Sequence, residues 1–153
     1  MKIKGAIILP LFLISSILPE WAQAVATPPL TQCFIEIHDA HISTTILKRE
    51  GRLAVKVNAI SICNVNQNKV TLTVEIYKEG FGGPHLVARA STRPEHRKSQ
   101  GFVVKNQFTY QYCKNRKKTR YFGLAKSQAT INGKTYKTTP VRSENTIQLD
   151  CGT

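Results

Sequence analysis

Four cysteines, Cys33, Cys63, Cys113 and Cys151, are spread through the chain with 29, 49 and 37 residues between them. No CxxC or HxxxH spacing accompanies them, so a zinc site through sulfur is not expected and no metal or other cofactor is predicted. An even number of cysteines in a small exported chain favours two bridges with three possible connectivities. Sequential pairing, Cys33 to Cys63 and Cys113 to Cys151, is preferred because each bridge then joins two neighbouring strand candidates. No close pair exists to serve as a redox centre, so the bridges are read as structural.

Disulfides need an oxidising compartment, and the amino terminus supplies a route to one. Lys2 and Lys4 precede the 13-residue apolar run Ala6 to Leu18, and Ala22-Gln23-Ala24 offers small residues for cleavage. Residues 1–24 are therefore expected to be a signal peptide and the product to be secreted. An apolar run of this length, broken by Pro10, falls short of the roughly 20 residues a spanning helix needs. Cleavage leaves 153 − 24 = 129 residues. Residues 25–30, with Pro28-Pro29, read as an extended leader, and 31–153 as a single domain. That length is too short for a cofactor domain beside a substrate domain. The segment removes two of 22 basic residues and one of nine acidic ones, so the mature balance is 20 − 8 = +12.

Within the domain the dominant pattern has period two, the mark of half-buried strands. Cys33, Ile35 and Ile37 share a face, as do Leu53, Val55, Val57, Ala59 and Cys63, which turns both cysteines inward. Val70, Leu72, Val74 and Ile76 alternate with Thr71, Thr73, Glu75 and Tyr77. The stretch Asn64 to Asn68 has loop composition and is expected to close a hairpin between these two strands. Gly80 to Pro84 forms a turn before a strand over His85 to Ala90, and Ser91 to Gly101 is a polar loop. Phe102 to Cys113 is a long strand with Phe108 assigned to the core. Tyr121 to Ile131 follows, closed by the hairpin dipeptide Asn132-Gly133, a short return over Lys134 to Thr138, and a last strand from Asn145 to Cys151. No amphipathic helix is expected. The whole predicts an all-β, two-sheet antiparallel sandwich, immunoglobulin-like in outline. The tryptophan of an antibody-type core is missing, because Trp21 is the only one and falls in the signal.

The order Cys33, Asp39-Ala40-His41-Ile42-Ser43, Gly51, Cys63, then Tyr77-Lys78-Glu79-Gly80, Cys113 and Tyr121-Phe122-Gly123-Leu124-Ala125 resembles a group of small secreted actinobacterial proteins. The resemblance covers Cys33 to Cys151. It implies an exported, disulfide-linked β fold and brings no catalytic residue with it. The basic run after Cys113 departs from that group, whose members are more neutral there.

That run, Lys114, Arg116, Lys117, Lys118 and Arg120, places five cations in seven residues, with Tyr110, Tyr112, Tyr121 and Phe122 on either side. Read as a cationic loop beside aromatic rings, it predicts binding to a polyanion, with cations on phosphates or sulfates and rings stacking on bases or sugars. Arg93, Arg97 and Lys98, with His96, form a second patch that would extend the field if the fold brings both to one end. The expected partners are an anionic envelope polymer, a phospholipid surface, an acidic glycan or nucleic acid without base specificity, since no nucleic-acid-binding module is recognisable. Two other classes compete. A small exported nuclease would use His41 or His96 with a carboxylate such as Glu36, Glu75 or Glu79. A protein-interaction or inhibitor module would present a disulfide-fixed loop. No spacing ties the histidines to a carboxylate, and Ser43, Ser61 and Ser127 lack a nucleophile-elbow context, so no catalytic residue is assigned.

Overall fold

A computed structural model describes residues 32–153; the expected signal peptide and the leader lie outside the described residues. The elements in order are β1 (Cys33–Ile37), β2 (His41–Ile42), α1 (Thr44–Glu50), β3 (Ala54–Gly80), β4 (Gly83–Ser91), β5 (Gly101–Tyr112), β6 (Asn115–Ile131), β7 (Lys134–Lys137), β8 (Val141–Arg142) and β9 (Ile147–Gly152). The chain is all-β and every strand pairing is antiparallel. No helix among the described residues is long and apolar enough to cross a membrane.

The long strand β3 organises the molecule by serving two sheets. Its first half, to Ile62, lies between β1 with β2 on one edge and β5 on the other. Its second half, from Thr71, lies between β4 and β6, and β6 in turn carries β7, β8 and β9. The inner faces of the two sheets meet. Gly123 of β6 sits so close to the facing sheet that a Cβ there would lie 2.6 Å from Val57 Cγ1 and 2.9 Å from Ile37 Cδ1. Asn106 of β5 is fully buried, and its amide donates to Leu72 O at 3.1 Å and Ala90 O at 3.0 Å, bracing one sheet on the other. Val55, Val57, Val70, Leu72, Val74, Ile76, Val104 and Tyr121 fill the space between.

Both expected disulfides are present, Cys33–Cys63 and Cys113–Cys151. Cys33 stands directly opposite Cys63 in the β1–β3 register, as the shared inward face of the two cysteines requires. Asn132 and Gly133 both take positive φ, 49° and 77°, which is what a two-residue hairpin turn with the right twist demands.

Three expectations are corrected. The stretch Asn64 to Asn68 does not close a hairpin, because β3 continues through it and changes partners there. Gln67 is buried at that corner: Ser61 Oγ donates to its Oε1 at 2.9 Å, and its Nε2 donates to Ser61 O and Phe102 O, each at 3.2 Å. A polar sequence thus passes through the core edge with its hydrogen bonds satisfied. A helix, α1, exists where none was expected. Ser43 caps its first turn by accepting from Ile46 N, Gly51 ends it in the left-handed region at φ 66°, and Lys48 and Arg49 sit in its last turn. Phe108 is not in the core: the β3–β5 register slips between Val57 and Ala59, Thr109 takes the inward position, and Phe108 is left 49% exposed.

Candidate anion-binding surfaces

The basic run is a strand, not a loop. Lys114 N donates to Gly152 O at 2.7 Å beside the Cys113–Cys151 bridge, and β6 then pairs with β9 in the register Lys118 to Asp150, Thr119 to Leu149, Arg120 to Gln148 and Tyr121 to Ile147. The β3 partner begins only at Tyr121, opposite Lys78. Residues 115–120 therefore run beyond the sheet as a two-stranded ribbon with β9. Tyr121 anchors it from below, fully buried, with its hydroxyl donating to Cys151 O at 2.5 Å. At the tip, Asn115 Oδ1 accepts from Lys117 N at 2.9 Å and fills space that only a glycine at 152 leaves open.

Lys114, Arg116, Lys117, Lys118 and Arg120 are all described and all exposed; the last four belong to the ribbon and Lys114 lies directly before it. Arg120 is engaged, its Nε 3.3 Å from Glu79 Oε2, and Lys118 lies across from Asp150. Among the described residues, Lys114, Arg116, Lys117 and Lys118 have no carboxylate within ion-pair distance. A shallow depression of about 460 Å³ opens between the ribbon and the end of β3, with Lys78, Lys117, Lys118 and Arg120 on its walls.

The aromatic residues flanking the run do not face it as stacking surfaces. Tyr121 is buried. Phe122 stacks on Tyr77 with ring centroids 5.4 Å apart, and the Arg142 guanidinium covers it at 4.0 Å. Tyr110 and Tyr112 meet edge to face near α1, where the Tyr112 hydroxyl donates to the Glu50 carboxylate and Arg52 lies 3.7 Å above the Tyr112 ring. That hydrogen bond raises the Tyr112 hydroxyl pKa and lowers that of Glu50. None of these four rings is thereby presented at the ribbon for stacking on bases or sugars.

Arg93 and Lys98 line a different surface, a groove of about 850 Å³ that also takes in His96, Val103, Lys105 and Phe108. Arg97 opens the short 3₁₀ turn Arg97–Ser99 in the same connection. The expected union of the two patches does not occur. Thr92, at the root of this connection, bonds to Val70 O and Leu72 N, whereas the ribbon starts beside Lys78. Six to eight residues of extended β3 separate them, about 20–26 Å at the strand rise.

The histidines are spread apart. His41 Nδ1 lies 3.1 Å from Asp39 O, His96 Nδ1 accepts from Lys98 N at 3.2 Å, and among the described residues only His38 meets a carboxylate, Glu36, at 3.5 Å. Glu75 is taken up by Arg89 at 2.9 Å, Lys126 and the Tyr77 hydroxyl, and Glu79 by Arg120. Ser43 caps α1, and Ser61 bonds Gln67. Among the described residues no group of three or more His, Cys, Asp or Glu is placed to hold a metal ion. Val103, Lys105 and Phe108 are members of the groove that sequence reasoning missed; the period-two phase of β5 could have signalled Val103 and Lys105. No known protein family, curated protein or solved structure matches the chain.

Proposed function

We propose that the protein is an exported, non-catalytic binder of anionic polymers, which it grips with the ribbon Lys114 to Arg120. The observation that carries this reading is the ribbon itself: three cations free of carboxylate partners on a strand, with a fourth, Lys114, directly before it, held out beyond the sheet by a disulfide and a buried tyrosine. A rigid mount matters because cations already spaced along an extended strand lose less freedom on meeting a row of phosphates or sulfates. With the four flanking rings engaged elsewhere, affinity would come from charge and be indifferent to sequence. The two disulfides are compatible with an oxidising compartment, and an anionic envelope polymer, acidic glycan, phospholipid surface or nucleic acid backbone all present suitable charge.

The test is retention on heparin and on immobilised polyphosphate, with neutral dextran as control. The protein should be retained on both anions at low salt, and R116Q/K117Q/K118Q should flow through. Retention of that variant with wild-type strength would remove the ribbon from the account.

A further inference from the structure

The groove between β5 and the 92–100 connection has a composition the ribbon lacks: cations beside exposed apolar side chains. Arg93, Lys98 and Lys105 reach it, and no Asp or Glu lines it. From β5 it takes Val103, 47% exposed, and Phe108, with Lys105 and Gln107 between them in the chain. Phe108 is there because Asn106, turned into the core, accepts from Thr109 Oγ1 at 3.0 Å and so fixes the bulge that expels the ring.

The exposed apolar side chains do not stop at the groove. On an outward sheet face alternation should place polar residues, yet the register sets Phe34, Ile62 and Val103 side by side across three strands, with Phe34 56% exposed. An apolar track therefore leaves the cationic groove and crosses the sheet. Contiguous exposed apolar surface rimmed by polar residues marks an interaction site, whereas apolar side chains exposed singly need no explanation. The wall above it is rigid: buried Thr92 Oγ1 donates to Val70 O at 2.7 Å, and buried Ser99 donates from Oγ to Arg93 O at 2.5 Å and from N to His96 O at 2.8 Å. A volume of about 850 Å³ is within the range of small-molecule sites.

We propose that this groove binds a single-chain anionic amphiphile, its carboxylate or phosphate head held by Arg93, Lys98 and Lys105 and its alkyl tail laid over Phe108 and Val103 toward Ile62 and Phe34. The assignment is independent of the ribbon, which lies six to eight residues farther along β3. The charge of the walls selects an anionic head, and the exposed rings and branched side chains select an alkyl body.

Calorimetric titration of the purified protein with sodium laurate and with dodecyl phosphate, both below their micellar concentrations, tests it. Both should bind saturably and dodecyltrimethylammonium should not. K98Q/K105Q and F108S should each weaken laurate at least ~10-fold, while R116Q/K117Q/K118Q should leave it unchanged. Phe108 and the lysines are exposed, so these variants should keep the native circular-dichroism spectrum. Absence of saturable laurate binding, equal binding of the cationic amphiphile, or undiminished binding by both groove variants would overturn the assignment. Full competition by inorganic phosphate at the dodecyl phosphate concentration would overturn its apolar half. A dimer in sedimentation that F108S dissociates would overturn it in favour of a second copy of the chain on this face.

Discussion

Charge-driven binding through the ribbon makes a quantitative claim about salt. Each cation that meets a phosphate of duplex DNA releases condensed counterion, and log K falls with log salt at a slope of about −0.9 per contact. Lys114, Arg116, Lys117 and Lys118 are free to make such contacts, whereas Arg120 is held against Glu79. Four contacts give a slope of about −3.6, which between 50 and 200 mM salt weakens binding about 150-fold. In R116Q/K117Q/K118Q only Lys114 remains, and the slope should shrink to about −0.9, a loss of only ~3-fold to 4-fold over the same range. R120Q should alter the slope by less than one contact, since its charge is already shared. Fluorescence anisotropy with a labelled duplex as a generic polyanion reads all three slopes. A wild-type slope near zero, or a triple variant that keeps the wild-type slope, would refute the reasoning.

Gly123→Ala should drive a methyl into Val57 and Ile37, costing about 1–3 kcal/mol in urea unfolding; an unchanged midpoint would mean the two sheets are not packed as described. Replacing Cys113 and Cys151 by serine opens a span of 38 residues, and the chain-entropy relation gives about 3.9 kcal/mol of lost stability. The same change at Cys33 and Cys63, a span of 30, gives about 3.6 kcal/mol. Equal stability of reduced and oxidised protein would contradict both figures. The Asp39 carboxylate accepts from Asn145 Nδ2 and N, at 2.8 and 2.9 Å, which holds its pKa below the usual value. A lowered folded pKa means that the unfolded chain takes up more protons in acid, so this contribution is complete above the ordinary carboxylate range and is lost as pH falls through the folded value. Thermal midpoints of the native protein should therefore drop more steeply below about pH 4 than those of Asp39→Asn; parallel profiles would show that Asp39 is not responsible.

The parts of this fold legible in the sequence are those where side-chain phase alone decides. Cys33 and Cys63 share phase with apolar neighbours on facing strands, so their pairing could be read; Asn132-Gly133 announces a hairpin because few residues accept two successive positive φ values. Where tertiary partners override local composition, reading failed. Asn64 to Asn68 looks like a turn, but Gln67 finds three hydrogen bonds inside the corner of β3. Lys114 to Arg120 looks like a solvated loop, but β9 supplies a ladder to pair with. The seven-residue helix α1, capped by Ser43 and Gly51, is too short to show an apolar period. Of the proposed sites, the charges of the ribbon could be named from the sequence and its geometry could not. The groove depends on a bulge set by buried Asn106, which no local pattern discloses.

The central claim is that polyanions meet this protein at one cationic ribbon. Amide chemical-shift mapping with a heparin hexasaccharide tests it most directly. Perturbations should concentrate at Lys114 to Arg120, with Lys78 and Gln148 beside them. Perturbations centred elsewhere, or none at saturating oligosaccharide, would contradict it.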